Sequence, residues 1–159
     1  MKMLTIVAAL AAMLLPLPSA AQEAAPRYVM RHLDTPKGAR DPDLLPAGAA
    51  KAKALVTWFE GKPLVAIFAT PFRRTQQTAA PIAAARGLTL QTYDPAEEAA
   101  LIAQVKAVPG PVLIVGHSNT VPDIVAALGG ERPGELVHED FGDVWTVTAT
   151  ATMRERLRE

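Results

Sequence analysis

The chain has 159 residues, half of them apolar, with 16 basic and 16 acidic side chains. That is long enough for one domain with a buried core and too apolar for a chain disordered throughout. The balanced charge gives no support to a nucleic-acid binder, which carries a basic excess, and the lack of cysteine excludes disulfides, thiolate catalysis and cysteine-ligated metal.

The amino terminus reads as a secretory signal. Lys2 supplies a small basic region, and Leu4 to Leu15 is a run dominated by aliphatic residues and alanine. Pro16 and Pro18 break that run, and Ser19-Ala20-Ala21 offers small residues for cleavage. The run falls short of the roughly 20 residues that a membrane span needs. Cleavage after Ala21 predicts a signal peptide over residues 1–21 and a single domain over residues 22–159. Only Lys2 among the charged residues is then lost, which leaves 15 basic and 16 acidic groups. The expected location is periplasmic or secreted, with no stable membrane insertion after cleavage; an uncleaved membrane anchor is the alternative.

Strand and helix patterns alternate along the rest of the chain, which predicts an α/β sheet. Residues 28–32 read as a strand ending in His32. Residues 34–46, with three prolines, a glycine and three aspartates, read as a loop. A helix follows over residues 47–60, with Ala47, Ala50, Ala54, Leu55 and Trp58 at helical spacing and Gly61 and Pro63 as its stop. Residues 64–69 form the next strand. Thr70 as N-cap and Pro71 at the first position then open a helix that runs to Arg86 and ends at Gly87. Pro81 predicts a kink or a restart inside it. A third strand is expected over residues 88–93, and a helix over residues 96–107 opened by Asp94-Pro95. A fourth strand covers residues 112–116, and a helix over residues 122–128 stops at Gly129-Gly130. Residues 144–149 alternate as a last strand, and the charged tail 153–159 is expected to fray.

Two of these strands end in histidine, at Arg31-His32 and at Gly116-His117, and a third leads into Thr70-Pro71-Phe72-Arg73-Arg74. The carboxyl ends of strands are where open α/β sheets hold their ligands. Arg73 and Arg74 fall in the first turn of a helix, where the dipole disfavours cations unless an anion sits against them. Free N–H groups there and a bidentate guanidinium suit a phosphoryl group. Arg74 is the candidate for that contact, and Arg73 is expected to be solvated. Neutral imidazole is a nucleophile toward phosphorus and needs no metal, provided cations mask the phosphoryl charge. Arg31, Arg74 and a protonated His117 are the candidates, with one neutral and one cationic histidine. No cofactor is expected. The stretch 116–120 is not a Gly-x-Ser-x-Gly elbow, and neither a Walker loop nor a dinucleotide fingerprint is present. His32, His117, His138 and Asp34 lack the spacing of a zinc site, so no metal is expected and His138 reads as a loop residue.

These residues resemble the histidine phosphatase superfamily, also called phosphoglycerate mutase-like. Arg31-His32 is similar to its R-H-G opening, residues 70–79 to its S-P-x-x-R-A-x-Q-T-A segment, and residues 115–119 to its V-x-H-G-N segment. The resemblance runs in the family order from residue 27 to about residue 128. It implies a three-layer α/β/α sandwich on a mostly parallel sheet with one antiparallel strand. It also implies a phosphohistidine intermediate on His32, with Arg31, Arg74, His117 and Ser118 at the phosphoryl oxygens. The substrate class is then a phosphorylated small molecule or a phosphoprotein. Leu33 stands in place of the usual glycine, Asp34 where glutamate is common, and Ser118 in place of another glycine. Asp34, Asp94, Glu97 and Glu98 are all open candidates for the proton donor, and a substrate with a good leaving group, such as phosphohistidine, needs none. The chain has no room for the insertions that cap substrates, which implies an open site. Two other readings stand beside the phosphatase: a phosphate- or phosphoprotein-binding module without catalysis, and a mutase.

Overall fold

The computed structural model describes residues 25–158, so the expected signal segment lies outside the described residues. Short runs of Val, Ile, Leu, Met and Ala make the central strands. These are β1 (Arg27–Arg31), β2 (Ala66–Ala69) and β4 (Val112–Gly116), with β3 (Leu90–Thr92) at one edge. Four helices join or follow them: α1 (Pro46–Trp58), α2 (Arg73–Arg86), α3 (Glu98–Ala107) and α4 (Val121–Ala127). Two further strands close the chain, β5 (Asp143–Val147) and β6 (Thr152–Arg156). The sheet order is β3-β2-β4-β1-β5-β6. β1 to β4 run parallel, and β5 alone runs against its neighbours β1 and β6.

Alternation along the strands builds one core on each face of the sheet. Tyr28 and Met30, Ile67 and Ala69, and Leu113 and Val115 pack against Leu55 and Phe59 at α1 and Ala79 and Ile82 of α2. Val29, Phe68, Val112 and Ile114 pack on the other face against Leu101 and Val105 of α3 and Ile124 and Val125 of α4. Phe59, Phe68, Leu113 and Ile114 are fully buried, and burying each such side chain stabilises the fold by about 1.5–3 kcal/mol. Both faces are covered, which is why these strands read as continuous apolar runs. The fold is the expected three-layer α/β/α sandwich. Among the described residues, no helix is long and apolar enough to cross a membrane.

Three expectations change. The second helix starts at Arg73 with Phe72 as its N-cap, instead of at Pro71 behind Thr70. The Thr70 hydroxyl is not free to cap, because it bonds side chains instead. The Asp41 carboxylate takes the backbone N–H of Arg73 at 3.0 Å. Second, α2 is unbroken through Pro81, with no restart. Its Ala79, Ile82 and Ala83 are held in the core on both sides of the proline, and tertiary packing of this kind offsets one missing backbone bond. Third, the charged tail does not fray but pairs with β5 as β6, with Val144 opposite Glu155 and Trp145 opposite Arg154. Arg154 and Arg156 both reach the Asp143 carboxylate, at 2.5 and 2.8 Å, and that carboxylate is buried at 2% side-chain exposure. Burial alone would raise the Asp143 pKa, but the hydrogen bonds and charges of the two arginines outweigh it and hold it below the usual carboxylate range.

Candidate functional site

β1 and β4 are neighbours in parallel register, with Arg31 opposite Gly116. The next residue on each strand is therefore a histidine, and the backbone N–H of His32 donates to the Gly116 carbonyl at 2.9 Å. β2 flanks β4 on its other side with Ala69 opposite Val115, which brings Thr70 and the start of α2 to the same end of the sheet. His32 and His117 lie with ring centroids 5.5 Å apart. Both are buried, at 5% and 7% exposure, as is Arg31 at 6%.

His32 Nδ1 lies 2.9 Å from the Leu33 carbonyl oxygen. A carbonyl only accepts, so Nδ1 carries the proton and Nε2 keeps its lone pair. Burial pushes the His32 pKa down to about 3, against the opposing Leu33 bond and with help from Arg31, His117 and Arg74. His117 is pushed down to about 4, first by burial and then by Arg74 and Arg31, with Asp41 pulling the other way. As the residues stand, both imidazoles are neutral near pH 7. The expected cationic His117 requires added negative charge beside it, which a phosphoryl group brings.

Arg74 lies in the first turn of α2, and its Nη2 is 3.3 Å from His117 Nδ1. Its guanidinium stacks on Phe72, 4.5 Å from the ring centre, and Phe72 meets the His117 ring edge-on at 5.2 Å. Arg74 Nη1 also donates to the Arg40 carbonyl at 3.1 Å and to Asp41 at 3.3 Å. Arg31 lies over Phe141, 4.1 Å from the ring centre. Its Nη1 donates to the carbonyls of Val137 at 2.7 Å and of His138 and Asp140 at 3.2 Å. The Arg31 Nε is buried with no acceptor among the described residues. His138 is a loop residue, as expected, and contributes its backbone oxygen here.

An open cleft of about 360 Å³ is lined by Phe72, Arg74 and His117, with Pro95 and Ala96 from the β3–α3 connection. Ser118 lines a neighbouring cleft with Arg132 and Glu135, and Asn119 borders both. Arg73 is exposed at 61% and pairs with Asp43 at 2.7 Å. None of the four proton-donor candidates reaches the cleft wall. Asp34 is held by Lys51 at 2.9 Å, Asp94 caps the Ala96 N–H at 2.9 Å, and Glu97 and Glu98 begin α3. The carboxylate that does touch the site is Asp41, which sequence reasoning passed over as one of three loop aspartates. The unmet anion requirement of Arg73-Arg74 was the available signal, and Asp41 and Asp43 answer part of it. Thr70, read as a cap, is the other missed residue, with its Oγ1 2.9 Å from His117 Nε2. Among the described residues, no group of three or more His, Asp or Glu side chains is arranged to hold a metal ion.

Residues 28–103 match the model of the histidine phosphatase superfamily, branch 1, and these residues carry His32 and Arg74. Over that segment the chain is similar to the histidine phosphatase superfamily. The protein histidine phosphatase SixA, solved with tungstate, is 20% identical with a TM-score of 0.61, over 82% of this chain and 94% of that one. A Nakamurella multipartitia protein assigned as a phosphohistidine phosphatase SixA is 25% identical with a TM-score of 0.58, over 82% and 88%. A mycobacterial glucosyl-3-phosphoglycerate phosphatase, solved with inorganic phosphate, is 14% identical with a TM-score of 0.65, over 84% and 95%. No curated protein matches the sequence. These neighbours are phosphatases by name, and they share this fold.

Proposed function

We propose that this protein is an exported, metal-independent phosphatase that hydrolyses phosphate monoesters or phosphohistidine through a phosphohistidine on His32. The observation that carries the reading is the pinned His32 ring. Its Nδ1–H is spent on the Leu33 carbonyl at 2.9 Å, so a neutral Nε2 lone pair is available beside His117 and the Arg74 guanidinium. Nε2 attacks phosphorus, the bond to the leaving atom breaks, and that atom, an ester oxygen or the ring nitrogen of a phosphohistidine, keeps the electron pair. Arg31 and Arg74 neutralise the phosphoryl oxygens, and the unpartnered Arg31 Nε gains an acceptor. Water then attacks phosphorus, the N–P bond breaks with its electron pair returning to Nε2, the proton of the attacking water passes to solvent, and phosphate leaves. Ser118 joins through the turn that follows His117. Residues 1–21 act as the export signal.

The open cleft suits a phosphorylated protein side chain as well as a small molecule. Phosphohistidine fits the lack of an assigned proton donor, because its leaving imidazole departs without strong acid assistance. The mutase reading needs retention of a small substrate between two transfers, and the open cleft gives it no support. A binding module on the same fold is favoured by one observation: among the described residues, none of Asp34, Asp94, Glu97 and Glu98 lines the cleft. Phosphate release by the purified protein with chelator present separates the two. The substrates are an aryl phosphate and a phosphohistidine peptide, with His32→Ala as control. Release that vanishes in the variant supports the enzyme. Phosphate binding without release from either substrate transfers the assignment to the module.

A further inference from the structure

The atoms around His117 form a hydrogen-bond chain that runs in one direction only. Arg74 has donors and no acceptor, and its Nη2 faces His117 Nδ1 at 3.3 Å. Nδ1 must then accept, which puts the proton of the neutral ring on Nε2. Nε2–H points at Thr70 Oγ1, 2.9 Å away. Thr70 accepts there and gives its own proton to Thr75 Oγ1 at 2.8 Å. Thr75 passes its proton to a backbone carbonyl, that of Phe72 at 2.8 Å or of Thr70 at 2.9 Å. The opposite order would set Nδ1–H against the guanidinium, donor to donor. Thr70 and Thr75 are both at 0% exposure, so water does not compete for these bonds. The Gln76 side chain holds the Thr70 carbonyl at 2.7 Å and so fixes the backbone that carries the hydroxyl.

We propose that Thr70, backed by Thr75, is a positioning residue that sets which nitrogen of His117 faces the phosphoryl site. The two histidines are thereby turned opposite ways: His32 is pinned through Nδ1 and offers Nε2, and His117 is pinned through Nε2 and offers Nδ1. What Nδ1 then does rests on the phosphatase reading. When a phosphoryl oxygen takes over Arg74 Nη2, Nδ1 loses its donor and takes up a proton from hydronium or a buffer acid in the solvent. The resulting imidazolium donates Nδ1–H to the phosphoryl oxygen while Nε2–H stays on Thr70, so neither threonine hydroxyl has to turn. Arg74 and Arg31 oppose that protonation. Asp41 and the negative charge of the phosphoryl group favour it.

The test compares the protein with Thr70→Ser and Thr70→Val. Imidazole 15N shifts report the His117 tautomer without any substrate, and aryl phosphate turnover reports the consequence. In the parent and in Thr70→Ser, neutral His117 carries its proton on Nε2, and turnover agrees within about twofold. In Thr70→Val the ring populates both tautomers and kcat falls about ten- to a hundredfold, as expected for a misassigned or misplaced imidazole. A parent His117 protonated on Nδ1, or a Thr70→Val variant with unchanged tautomer and turnover, overturns the proposal. Absence of turnover in all three proteins overturns the phosphatase reading instead, and the spectra alone then decide the role of Thr70.

Discussion

Arg31 sits opposite Gly116 in the parallel ladder between β1 and β4, and that register sets His32 beside His117. A shift by one residue would turn every side chain of β1 to the other face and separate the pair. The ladder is held from both sides, since β1 pairs with β5 and β4 pairs with β2. The relative placement of the two imidazoles is thus a property of the sheet, and loop mobility has little hold on it.

The buried imidazoles predict acid sensitivity with a defined window. In the unfolded chain both titrate near 6.5, whereas the folded values are about 3 for His32 and about 4 for His117. Between those limits the unfolded chain binds more protons, so stability falls as pH drops from about 7 toward 4. Asp143 does not contribute there. Its folded pKa lies below the ordinary 3.8, so its stabilisation is present above 3.8 and is lost only as pH falls through the lower folded value. Melting temperature against pH checks this, and His32→Ala should reduce the slope between pH 6 and 4 by about half. An unchanged slope would contradict the burial of a neutral His32.

Asp41 should compete with a bound anion. It accepts from the Arg73 N–H at 3.0 Å and from Arg74 Nη1 at 3.3 Å, which are donors that a phosphoryl group would use. Asp41→Asn should tighten inorganic phosphate binding about two- to fivefold, the size of a partly exposed charge interaction. Calorimetric titration measures it. Weaker binding in the variant would mean that Asp41 organises the phosphate site and does not contend for it.

Asp143 fastens the edge of the sheet. Asp143→Ala leaves Arg154 and Arg156 without their shared partner, and the cost should be about 1–3 kcal/mol in denaturant unfolding. The loss should appear first as faster amide exchange in β6, because an edge strand held by one neighbour opens most easily.

Much of the fold was legible in local pattern. The apolar run 112–116 is β4 as read, bounded by Pro111 and His117, and the arginine and histidine at strand ends pointed to the site. The rest depended on partners distant in sequence. Thr70-Pro71 has the local form of a helix cap, but its hydroxyl is claimed by His117, 47 positions away. Asp41 looks like Asp34 and Asp43 in the sequence, and only the folded loop sets it against Arg74 while Lys51 takes Asp34. β6 has few apolar residues because it lies at an edge and is largely exposed. Its signal is the charge match between Asp143 and the two arginines, which no single segment reveals.

In the proposed mechanism phosphorus passes through His32. The most direct measurement is to quench the protein during turnover of a labelled phosphorylated substrate and locate the label in its peptides. A phosphohistidine mechanism predicts acid-labile, base-stable phosphorus on the peptide that contains His32, and none in His32→Ala. Phosphate release that persists in His32→Ala, with no label on that peptide in the parent, would contradict it.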